Sequence, residues 1–317
     1  MRFLVVGAGA WGTAFSRLLL DRGHEVVLGC RTAEQAEAIA ADGRSPRSGP
    51  HVDLRGVGAV ALAQAPTDVD VAAVAVPSKV FVEVVGQLPA ELPVLGLTKG
   101  LDPATGERLS TRVGRRPVAV LSGPNLAEEI SLGLPTAAVI ASEDGYLAGL
   151  LQHAVNSSVF RAYVNPDVVG VELCAAAKNV VALAAGAVDG LDLGDNAKAS
   201  LITRGLAEMS RLGDAAGARP ETFAGLAGMG DLIVTCWSRH GRNRRAGELI
   251  AQGATPESAA AEIGQTVEGL TTAPVLHELS QRLGVELPIT EGVCAVLSGE
   301  SLTDLLSRLM GRQPTEE

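Results

Sequence analysis

A single lysine interrupts the most apolar stretch of the chain. Residues Leu173–Val188 have the sequence LCAAAKNVVALAAGAV, in which only Lys178 and Asn179 are neither apolar nor glycine. The alanine and leucine content favours a helix, and a helix with so few polar residues should be buried on nearly all sides. Burial disfavours the charged form of a lysine and lowers its pKa. Lys178 is therefore a candidate proton donor. The alternative is a lysine at a crevice edge, with its ammonium group in water.

A glycine-rich turn near the N-terminus indicates a dinucleotide site. The motif Gly7–Gly12, GAGAWG, lies between the apolar run Arg2–Val6 and a helical pattern that ends at Arg22, and His24–Gly29 is a second predicted strand. In a strand, GxGxxG, helix, strand unit the three glycines allow a tight turn, close approach of a pyrophosphate, and close helix–strand packing. The helix N-terminus adds free N–H groups for the phosphates. The alternative is a glycine-rich turn without a ligand.

The end of the second strand bears on the choice of cofactor. A carboxylate there would accept the ribose 2′-hydroxyl of NAD, but this strand ends at Arg31 and its only carboxylate, Glu25, is at the opposite end. An arginine suits a 2′-phosphate and therefore NADP, without excluding NAD. Arg44 and Arg47, in the loop that follows, are alternative partners for the same phosphate.

A basic cluster stands out in an acidic chain. Four arginines lie in the predicted loop Trp237–Arg245, namely Arg239, Arg242, Arg244 and Arg245, although the net charge of the chain is −10. A planar guanidinium matches a phosphate dianion, and Arg242 is the preferred candidate. The alternative is a solvated basic loop.

The elements that would hold these residues form two groups. Strands alternating with helices predict an α/β Rossmann-type, doubly wound parallel sheet over residues 1–165. An all-α domain over residues 166–317 should follow. The carboxyl ends of parallel strands share one edge of the sheet, so Pro77, Lys99 and Gly123, which each follow a strand, should lie there.

Further predicted strands are Val69–Val76, Val94–Leu97, Val118–Leu121, Thr136–Ala141 and Val159–Val164. Predicted helices are Ala33–Ala41, Val80–Leu88, Asp167–Val188, Asn196–Leu212, Thr272–Leu283, Ile289–Leu297 and Ser301–Leu309, with loops at Asp42–Gly58 and Asp189–Asp195.

Composition narrows the class of protein. The pI of about 5.1 and net charge of −10 argue against generic binding to nucleic acid or anionic membranes. The four cysteines are far apart and form no CxxC pair, which argues for free thiols in a reducing cytosol rather than a disulfide framework or metal site. The N-terminus begins directly with a predicted strand, so no signal peptide is expected. The longest apolar run is interrupted by Lys178 and is predicted to be too short for a membrane span.

Three sequence blocks together resemble one enzyme family. They are GAGAWGTA, the long block KNVVALAAGAVDGLDLGDNAKASLITRGLAEMSRLG, and GLAGMGDLIVTC followed by GRNRR. From Met1 to about Leu309 the chain resembles bacterial-type NAD(P)-dependent glycerol-3-phosphate dehydrogenases. The resemblance implies a cytoplasmic oxidoreductase that interconverts dihydroxyacetone phosphate and sn-glycerol 3-phosphate with NADP or NAD and supplies phospholipid synthesis. It also implies a small phosphorylated three-carbon substrate and no metal, and the buried helical domain suggests a homodimer.

The resemblance also assigns roles to individual residues. Lys178 matches the general acid and base, Asp231, Thr235 and Asp195 match polar groups around it, and Lys99 matches a lysine that contacts cofactor and substrate. The other matched substrate positions are Gly123, Asn125, Gly241, Arg242 and Asn243. The matched or expected cofactor positions are Gly7, Gly9, Ala10, Trp11, Gly12, Arg31, Lys99, Ala127, Arg242, Thr266 and Glu268.

Ketone reduction needs a proton donor with a pKa near neutrality, placed within hydrogen-bond reach of the developing alkoxide. Burial should lower the pKa of Lys178, and Asp231 should oppose this shift. Protonated, Lys178 would also stabilise the oxyanion.

Four positions depart from the family pattern. The loop Ser45–Gly58 lacks the usual Asn-x-x-Tyr-Leu-Pro-Gly, Asn125 replaces a hydroxyl residue, Gly241 replaces a bacterial serine, and Val82 stands near the place of an arginine. Two other functions stay open, and the altered Ser45–Gly58 loop supports only the second of them. One is a β-hydroxyacid or 6-phosphogluconate-type dehydrogenase, against which GMGDLIVTC and GRNRR argue. The other is an NAD(P)-binding paralogue with a sensor or assembly role.

Overall fold

The computed structural model describes residues 1–46, 48–49 and 51–302. Its first part is one eight-stranded sheet with strand order β3-β2-β1-β4-β5-β6-β7-β8. All neighbouring strands pair in parallel except β6 and β7, which are antiparallel. The strands are β1 Arg2–Val6, β2 Glu25–Cys30, β3 Gly58–Ala61, β4 Val71–Val74, β5 Val94–Gly96, β6 Val118–Ser122, β7 Thr136–Ala141 and β8 Phe160–Asn165.

The sheet is buried on both faces, as the continuous apolar runs of its strands predict. In β1, Phe3 and Val5 belong to one buried cluster, and Leu4 and Val6 belong to another on the opposite face. The α/β prediction for this part of the chain is confirmed, with the antiparallel pair β6 and β7 as its exception.

Helices cover the sheet and then continue alone. Those that flank the sheet are α1 Ala10–Asp21, α2 Ala33–Asp42, α3 Ser78–Gly86, α4 Ala127–Ser131 and α5 Gly145–Val155. Those after β8 are α6 Val168–Gly190, α7 Gly194–Ala215, α8 Pro220–Ala224, α9 Asp231–Trp237, α10 Arg242–Ala251, α11 Pro256–Ile263, α12 Glu268–Leu283 and α13 Pro288–Leu297. Short 3₁₀ turns occupy Leu62–Gln64 and Leu109–Arg112, and a π-helical turn occupies Leu226–Gly230.

Several element predictions need correction. The sequence patterns missed α4, α5 and β3, and β3 begins at the last residue of the predicted loop Asp42–Gly58. The predicted basic loop is shorter, since α10 begins at Arg242. The predicted loop Asp189–Asp195 is also shorter, because α6 extends to Gly190 and α7 starts at Gly194. Apart from its first two residues, the predicted helix Ser301–Leu309 lies outside the described residues.

Helix α6 is the centre of the helical part. Asp167 caps its N-terminus by accepting a hydrogen bond from the Gly170 N–H at 2.9 Å, and α7, α9, α10 and α12 all pack on it. By length and composition alone this 23-residue helix would be long enough to cross a membrane, because it extends beyond the apolar run around Lys178. However, 89% of its most apolar window is buried inside the protein, as expected of a core helix.

Helices α6 and α10 approach until their backbones touch. A Cβ atom on Gly186 of α6 would lie 1.8 Å from the Arg244 carbonyl oxygen, and one on Gly247 of α10 would lie 1.9 Å from the Leu183 carbonyl oxygen. Glycines at these positions therefore remove the side chains that would separate the two helices. The start of α10 is thereby held against the middle of α6.

We predict that Gly247→Ala lowers the free energy of unfolding by about 1–3 kcal/mol, because the new methyl group meets backbone atoms that cannot rotate away. The matched control is Gly149→Ala, within α5, where a Cβ atom would meet nothing within 4 Å. That control should raise the free energy of unfolding by about 0.5–1 kcal/mol. Urea unfolding of the two variants measures both changes. Equal stability of Gly247→Ala and wild type would contradict the packing argument.

Candidate active site

Lys178 pairs with a buried carboxylate. Its Nζ atom donates to Oδ1 of Asp231 at 2.5 Å and to Oγ1 of Thr235 at 2.9 Å. The exposed fraction is 4% for Lys178 and 1% for Asp231. The alternative of a lysine at a crevice edge, with its head group in water, is therefore wrong for this conformation. A buried lysine needs such a partner to keep its charge.

Helix α9 carries both partners of Lys178. Asp231 and Thr235 are one turn apart and therefore share the face that packs on α6. The Thr235 hydroxyl lies 2.6 Å from the Asp231 carbonyl oxygen, to which it can donate one turn back along α9. The π-helical turn Leu226–Gly230 precedes α9, and a Cβ atom on Gly228 would lie 2.2 Å from the Phe223 carbonyl oxygen. The glycine-rich segment before Asp231 thus packs too closely for a larger residue.

A second lysine reaches the same carboxylate from the sheet. Lys99, in the loop after β5, donates to Oδ2 of Asp231 at 2.8 Å and to the Gly123 carbonyl oxygen at 2.9 Å. The Ser122 hydroxyl, at the end of β6, donates to the same Oδ2 at 3.2 Å. The prediction that Lys99 and Gly123 lie together at the sheet edge is confirmed. Ser122 was not predicted, because its position is recognisable only from where β6 ends.

Burial and charge shift the pKa values of this cluster in opposite directions. Burial lowers the pKa of Lys178 to about 7, since Asp231 only partly opposes the loss of solvation and the Lys99 charge adds to the lowering. For Asp231, burial alone would raise the pKa, but the charges of Lys178 and Lys99 outweigh it and hold the pKa below its usual range. The site thus combines a stable carboxylate with a lysine that can exchange a proton near neutral pH.

Two amides connect the elements around the lysines. The Asn179 side chain donates to the Lys99 carbonyl oxygen at 3.0 Å and accepts from the Asn243 side-chain amide at 2.9 Å. Asn243 in turn accepts from the Gly269 N–H at 2.9 Å. These bonds join the loop after β5, α6, α10 and α12. Asn179 has no predicted role, although it is the second polar residue in the apolar stretch around Lys178.

The predicted phosphate residues lie at the start of α10. Arg242 is exposed and its Nη1 donates to the Thr266 carbonyl oxygen at 3.0 Å. Glu268, two residues after Thr266, accepts from the Ser78 hydroxyl at 2.7 Å and the Ser78 N–H at 3.1 Å. Burial raises the pKa of Glu268, and the Ser78 bonds oppose this. The structure therefore brings Arg242, Thr266 and Glu268 together near the start of α3, where Glu268 binds Ser78.

The other arginines of the basic cluster are used differently. Arg244 forms ion pairs with Asp189 and Glu248, and Arg245 forms ion pairs with Glu248 and Glu262. Arg239 is exposed. Asp195 is also exposed, in the first turn of α7. Among the described residues, the side chains bonded to Lys178 are Asp231 and Thr235, so Asp195 does not join them as the resemblance implied.

The glycine turn has the shape that a dinucleotide needs. Gly7 has a φ of +112°, and a Cβ atom there would lie 2.5 Å from the Ala75 carbonyl oxygen. A Cβ atom on Gly12 would lie 1.9 Å from the Gly7 carbonyl oxygen, whereas one on Gly9 would meet nothing within 4 Å. Gly9 is the N-cap residue of α1 and provides no side-chain cap. The turn therefore offers open space and free N–H groups where a pyrophosphate would bind.

Comparison with known proteins decides the family. The family model for the N-terminus of NAD-dependent glycerol-3-phosphate dehydrogenase matches residues 3–148, and the model for its C-terminus matches residues 167–306. The glycerol-3-phosphate dehydrogenase [NAD(P)+] of Halorhodospira halophila is 46% identical, over 99% of this chain and 97% of the relative. The chain belongs to the glycerol-3-phosphate dehydrogenase family.

Other members of the family agree. The enzyme of the same name from Geobacillus thermodenitrificans is 44% identical over 99% of this chain and 95% of its own length. The crystal structure of glycerol-3-phosphate dehydrogenase from Coxiella burnetii superposes with a TM-score of 0.93 at 36% identity, covering 98% of this chain and 99% of that one. A ketopantoate reductase from Ralstonia eutropha, at 17% identity and a TM-score of 0.60, shares only the fold. The family is thus favoured over both alternative functions, and its cofactors are NAD and NADP.

The remaining predicted residues surround the glycine turn and the end of β6. Trp11 packs against Phe15 with ring centroids 5.6 Å apart. Arg31 is exposed after β2, and no described hydrogen bond or ion pair involves its side chain. Asn125, the departure from the hydroxyl of other glycerol-3-phosphate dehydrogenases, donates its amide to the Ala137 carbonyl oxygen at 3.0 Å. Gly241 is the N-cap of α10, and Ala10 and Ala127 are the first residues of α1 and α4.

The atypical loop of this family member touches the glycine turn. The Ser45 hydroxyl donates to the Ala8 carbonyl oxygen at 2.9 Å, and Ser45 is 4% exposed. The loop therefore packs beside the dinucleotide-binding turn even without the usual sequence. Arg44 is exposed, and Arg47 lies outside the described residues.

Proposed function

We propose that this protein reduces dihydroxyacetone phosphate to sn-glycerol 3-phosphate with NADPH or NADH, and catalyses the reverse reaction, with Lys178 as the proton donor and acceptor. One observation supports this most directly. A lysine with a pKa near 7 is bonded to a buried carboxylate, at the carboxyl edge of a sheet whose first turn fits a dinucleotide. This arrangement supplies an acid where ketone reduction needs one.

Each residue of the lysine–carboxylate cluster has a separate role in the proposed reduction. The nicotinamide cofactor, when bound, supplies the hydride. Lys178 donates a proton to the oxygen that becomes the alkoxide, and its charge stabilises that oxygen as negative charge develops. Asp231 holds the ammonium group of Lys178 in place. Lys99, bonded to the same carboxylate, adds a second positive charge beside the substrate. In the reverse direction neutral Lys178 accepts the hydroxyl proton.

The start of α10 would hold the substrate phosphate. Its N-cap residue, Gly241, offers no side-chain cap, and no acidic residue occupies the first turn of the helix. Its free N–H groups and the Arg242 guanidinium therefore favour an anion. Asn243 orients this end through its bond to Asn179. Thr266 and Glu268, which lie beside Arg242, would then be near the place where cofactor and substrate meet.

The wider biological role is also part of the proposal. The product would supply phospholipid synthesis in the cytoplasm, by a homodimer that uses no metal and binds no nucleic acid. Residues 1–165 would bind the dinucleotide, and residues 166–317 would contribute Lys178, Asp231 and the phosphate site. The net charge of −10 supports the exclusion of nucleic acid.

A direct assay tests the reaction. Purified protein, NADPH and dihydroxyacetone phosphate should together consume the reduced cofactor, and unphosphorylated dihydroxyacetone should react much more slowly. Consumption of NADPH with a β-keto acid but not with dihydroxyacetone phosphate would favour the other dehydrogenase class. Cofactor binding without turnover of either substrate would favour a sensor.

Arg242→Ala should weaken dihydroxyacetone phosphate binding by about 1.5–3 kcal/mol, the value of a charge-assisted hydrogen bond. The KM for this substrate should therefore rise about tenfold or more, while the KM for NADPH changes less. Arg239→Ala removes an exposed arginine from the same basic cluster and should leave both constants unchanged. An unchanged substrate KM in Arg242→Ala would place the phosphate elsewhere.

Arg31→Asp should shift the cofactor preference toward NADH. The substitution removes a guanidinium at the end of β2 and adds repulsion toward a 2′-phosphate, which should lower the NADPH-to-NADH ratio of kcat/KM about tenfold or more. The control Arg22→Asp makes the same charge change just after the last residue of α1, before β2 begins and therefore at the amino-terminal end of the strands. An unchanged ratio in Arg31→Asp would show that Arg31 is a surface residue and direct attention to Arg44.

A further inference from the structure

A second charged cluster lies behind the proposed phosphate site. Oδ2 of Asp189 accepts from Lys198 Nζ and from Arg244 Nη1, each at 2.8 Å. The Lys198 and Arg244 side chains are only 8% and 13% exposed. The Trp237 ring covers the Lys198 ammonium group, with 4.9 Å between Nζ and the ring centroid. The proposed reaction uses none of these four residues.

The location of Asp189 is unfavourable for a carboxylate on its own. Asp189 is the second-last residue of α6, and the C-terminal end of a helix carries partial negative charge that repels an anion. Its two cationic partners come from α7 and α10 and offset this cost. The Asp189 carboxylate therefore links α6 to α7 and to α10.

Arg244 extends this junction into the segment that precedes α10. Besides Asp189, its guanidinium donates through Nε to the Ser238 carbonyl oxygen at 3.1 Å and through Nη1 to Glu248 at 3.2 Å. The bond to Ser238 spans the short connection from α9 to α10, which contains Gly241. Arg244 thus fixes both ends of the turn that presents Arg242 and Asn243.

Two side-chain bonds add to the glycine contact between α6 and α10. Backbone contact at Gly186, Gly190 and Gly247 sets the distance between the helices. The Asn179–Asn243 bond restrains α10 near Lys178, and the Asp189–Arg244 pair restrains it on the other side of Gly186. The two bonds therefore tie the first turn of α10 to residues of α6 that lie before and after Gly186.

We propose that Asp189 is a positioning residue for the substrate phosphate. Acting through Arg244, it holds the turn from Ser238 to Asn243 so that the Arg242 guanidinium and the first N–H groups of α10 converge on one anion. This inference rests on the proposed function, because it takes the start of α10 as the phosphate site. It implies that discrimination between phosphorylated and unphosphorylated ketones depends on a residue that touches neither.

Steady-state kinetics of Asp189→Asn test the proposal. The KM for dihydroxyacetone phosphate should rise roughly tenfold to hundredfold, as for a lost charge-assisted bond. The KM for NADPH and the kcat/KM for unphosphorylated dihydroxyacetone should stay within about twofold. A purely structural role would instead lower activity on both ketones by the same factor, because it would reduce the amount of folded enzyme.

A matched control and a second variant complete the test. Arg245 follows Arg244 in α10 and forms an exposed ion pair with Glu262. Glu262→Gln breaks that pair and should leave the KM and kcat values for both ketones and for NADPH unchanged. Arg244→Lys keeps a positive charge beside Asp189 but removes the guanidinium that also donates to the Ser238 carbonyl oxygen. This variant should therefore show the same selective rise in the KM for dihydroxyacetone phosphate, even if Asp189→Asn does not fold.

Three outcomes would overturn the proposal or its basis. An unchanged KM for dihydroxyacetone phosphate in Asp189→Asn and Arg244→Lys would overturn the proposal. An equal loss on both ketones would do the same, and would assign Asp189 to stability alone. No reduction of dihydroxyacetone phosphate by the wild type would instead overturn the proposed function, a result visible before any variant is made.

Discussion

The site depends on one buried carboxylate that two lysines share. Asp231 accepts from Lys178 through one oxygen and from Lys99 through the other. Taking three charged groups out of water is costly, and removing one partner of such a cluster commonly costs about 3–5 kcal/mol. The fold therefore has to deliver all three side chains together. Lys99 comes from a loop of the sheet, whereas Lys178 and Asp231 come from two helices.

The surrounding structure can be understood as a set of restraints on this cluster. The parallel strands bring Lys99 and Gly123 to one edge, and α6 presents Lys178 to that edge. Glycines at Gly186 and Gly247 let α10 touch α6, so the start of α10, where we propose that the substrate phosphate binds, is bonded through Asn243 to the residue after Lys178. Hydrogen-bonded amides then fix the remaining orientations. In the proposed function, the substrate carbonyl would meet Lys178 on α6 and the substrate phosphate would meet the start of α10.

Much of this arrangement follows from the sequence, for identifiable reasons. A lysine inside LCAAAKNVV has few alternatives to burial, and the glycine motif specifies both a turn and an open space. The start of α10 could not be predicted in this way. RNRR is strongly polar, and its helical state depends on contact with α6 through Gly247, which a local pattern does not contain. The direction of β7 relative to β6 was equally inaccessible, because apolar runs are the same in parallel and antiparallel strands.

Side-chain partnerships were the least predictable feature. Lys99 and Asp231 are 132 positions apart, and their contact follows only from how the helical part docks on the sheet. The resemblance to the family identified both residues, but it did not predict that Lys99 donates to the same Asp231 carboxylate as Lys178. The sequence pattern grouped four arginines as one basic cluster with Arg242 as the preferred phosphate ligand, and the structure separates Arg242 from Arg244 and Arg245, which form ion pairs.

The pH dependence of catalysis tests the central claim most directly. Reduction needs protonated Lys178, so kcat/KM for dihydroxyacetone phosphate should fall as pH rises above about 7, and oxidation of glycerol 3-phosphate should show the opposite trend. Asp231 raises the Lys178 pKa, so Asp231→Asn should move both midpoints to lower pH. Comparing the variant with wild type cancels the ionisation of the substrate phosphate. Midpoints that do not move, or a Lys178→Ala variant that retains the wild-type profile and rate, would contradict the assignment of Lys178 as the proton donor.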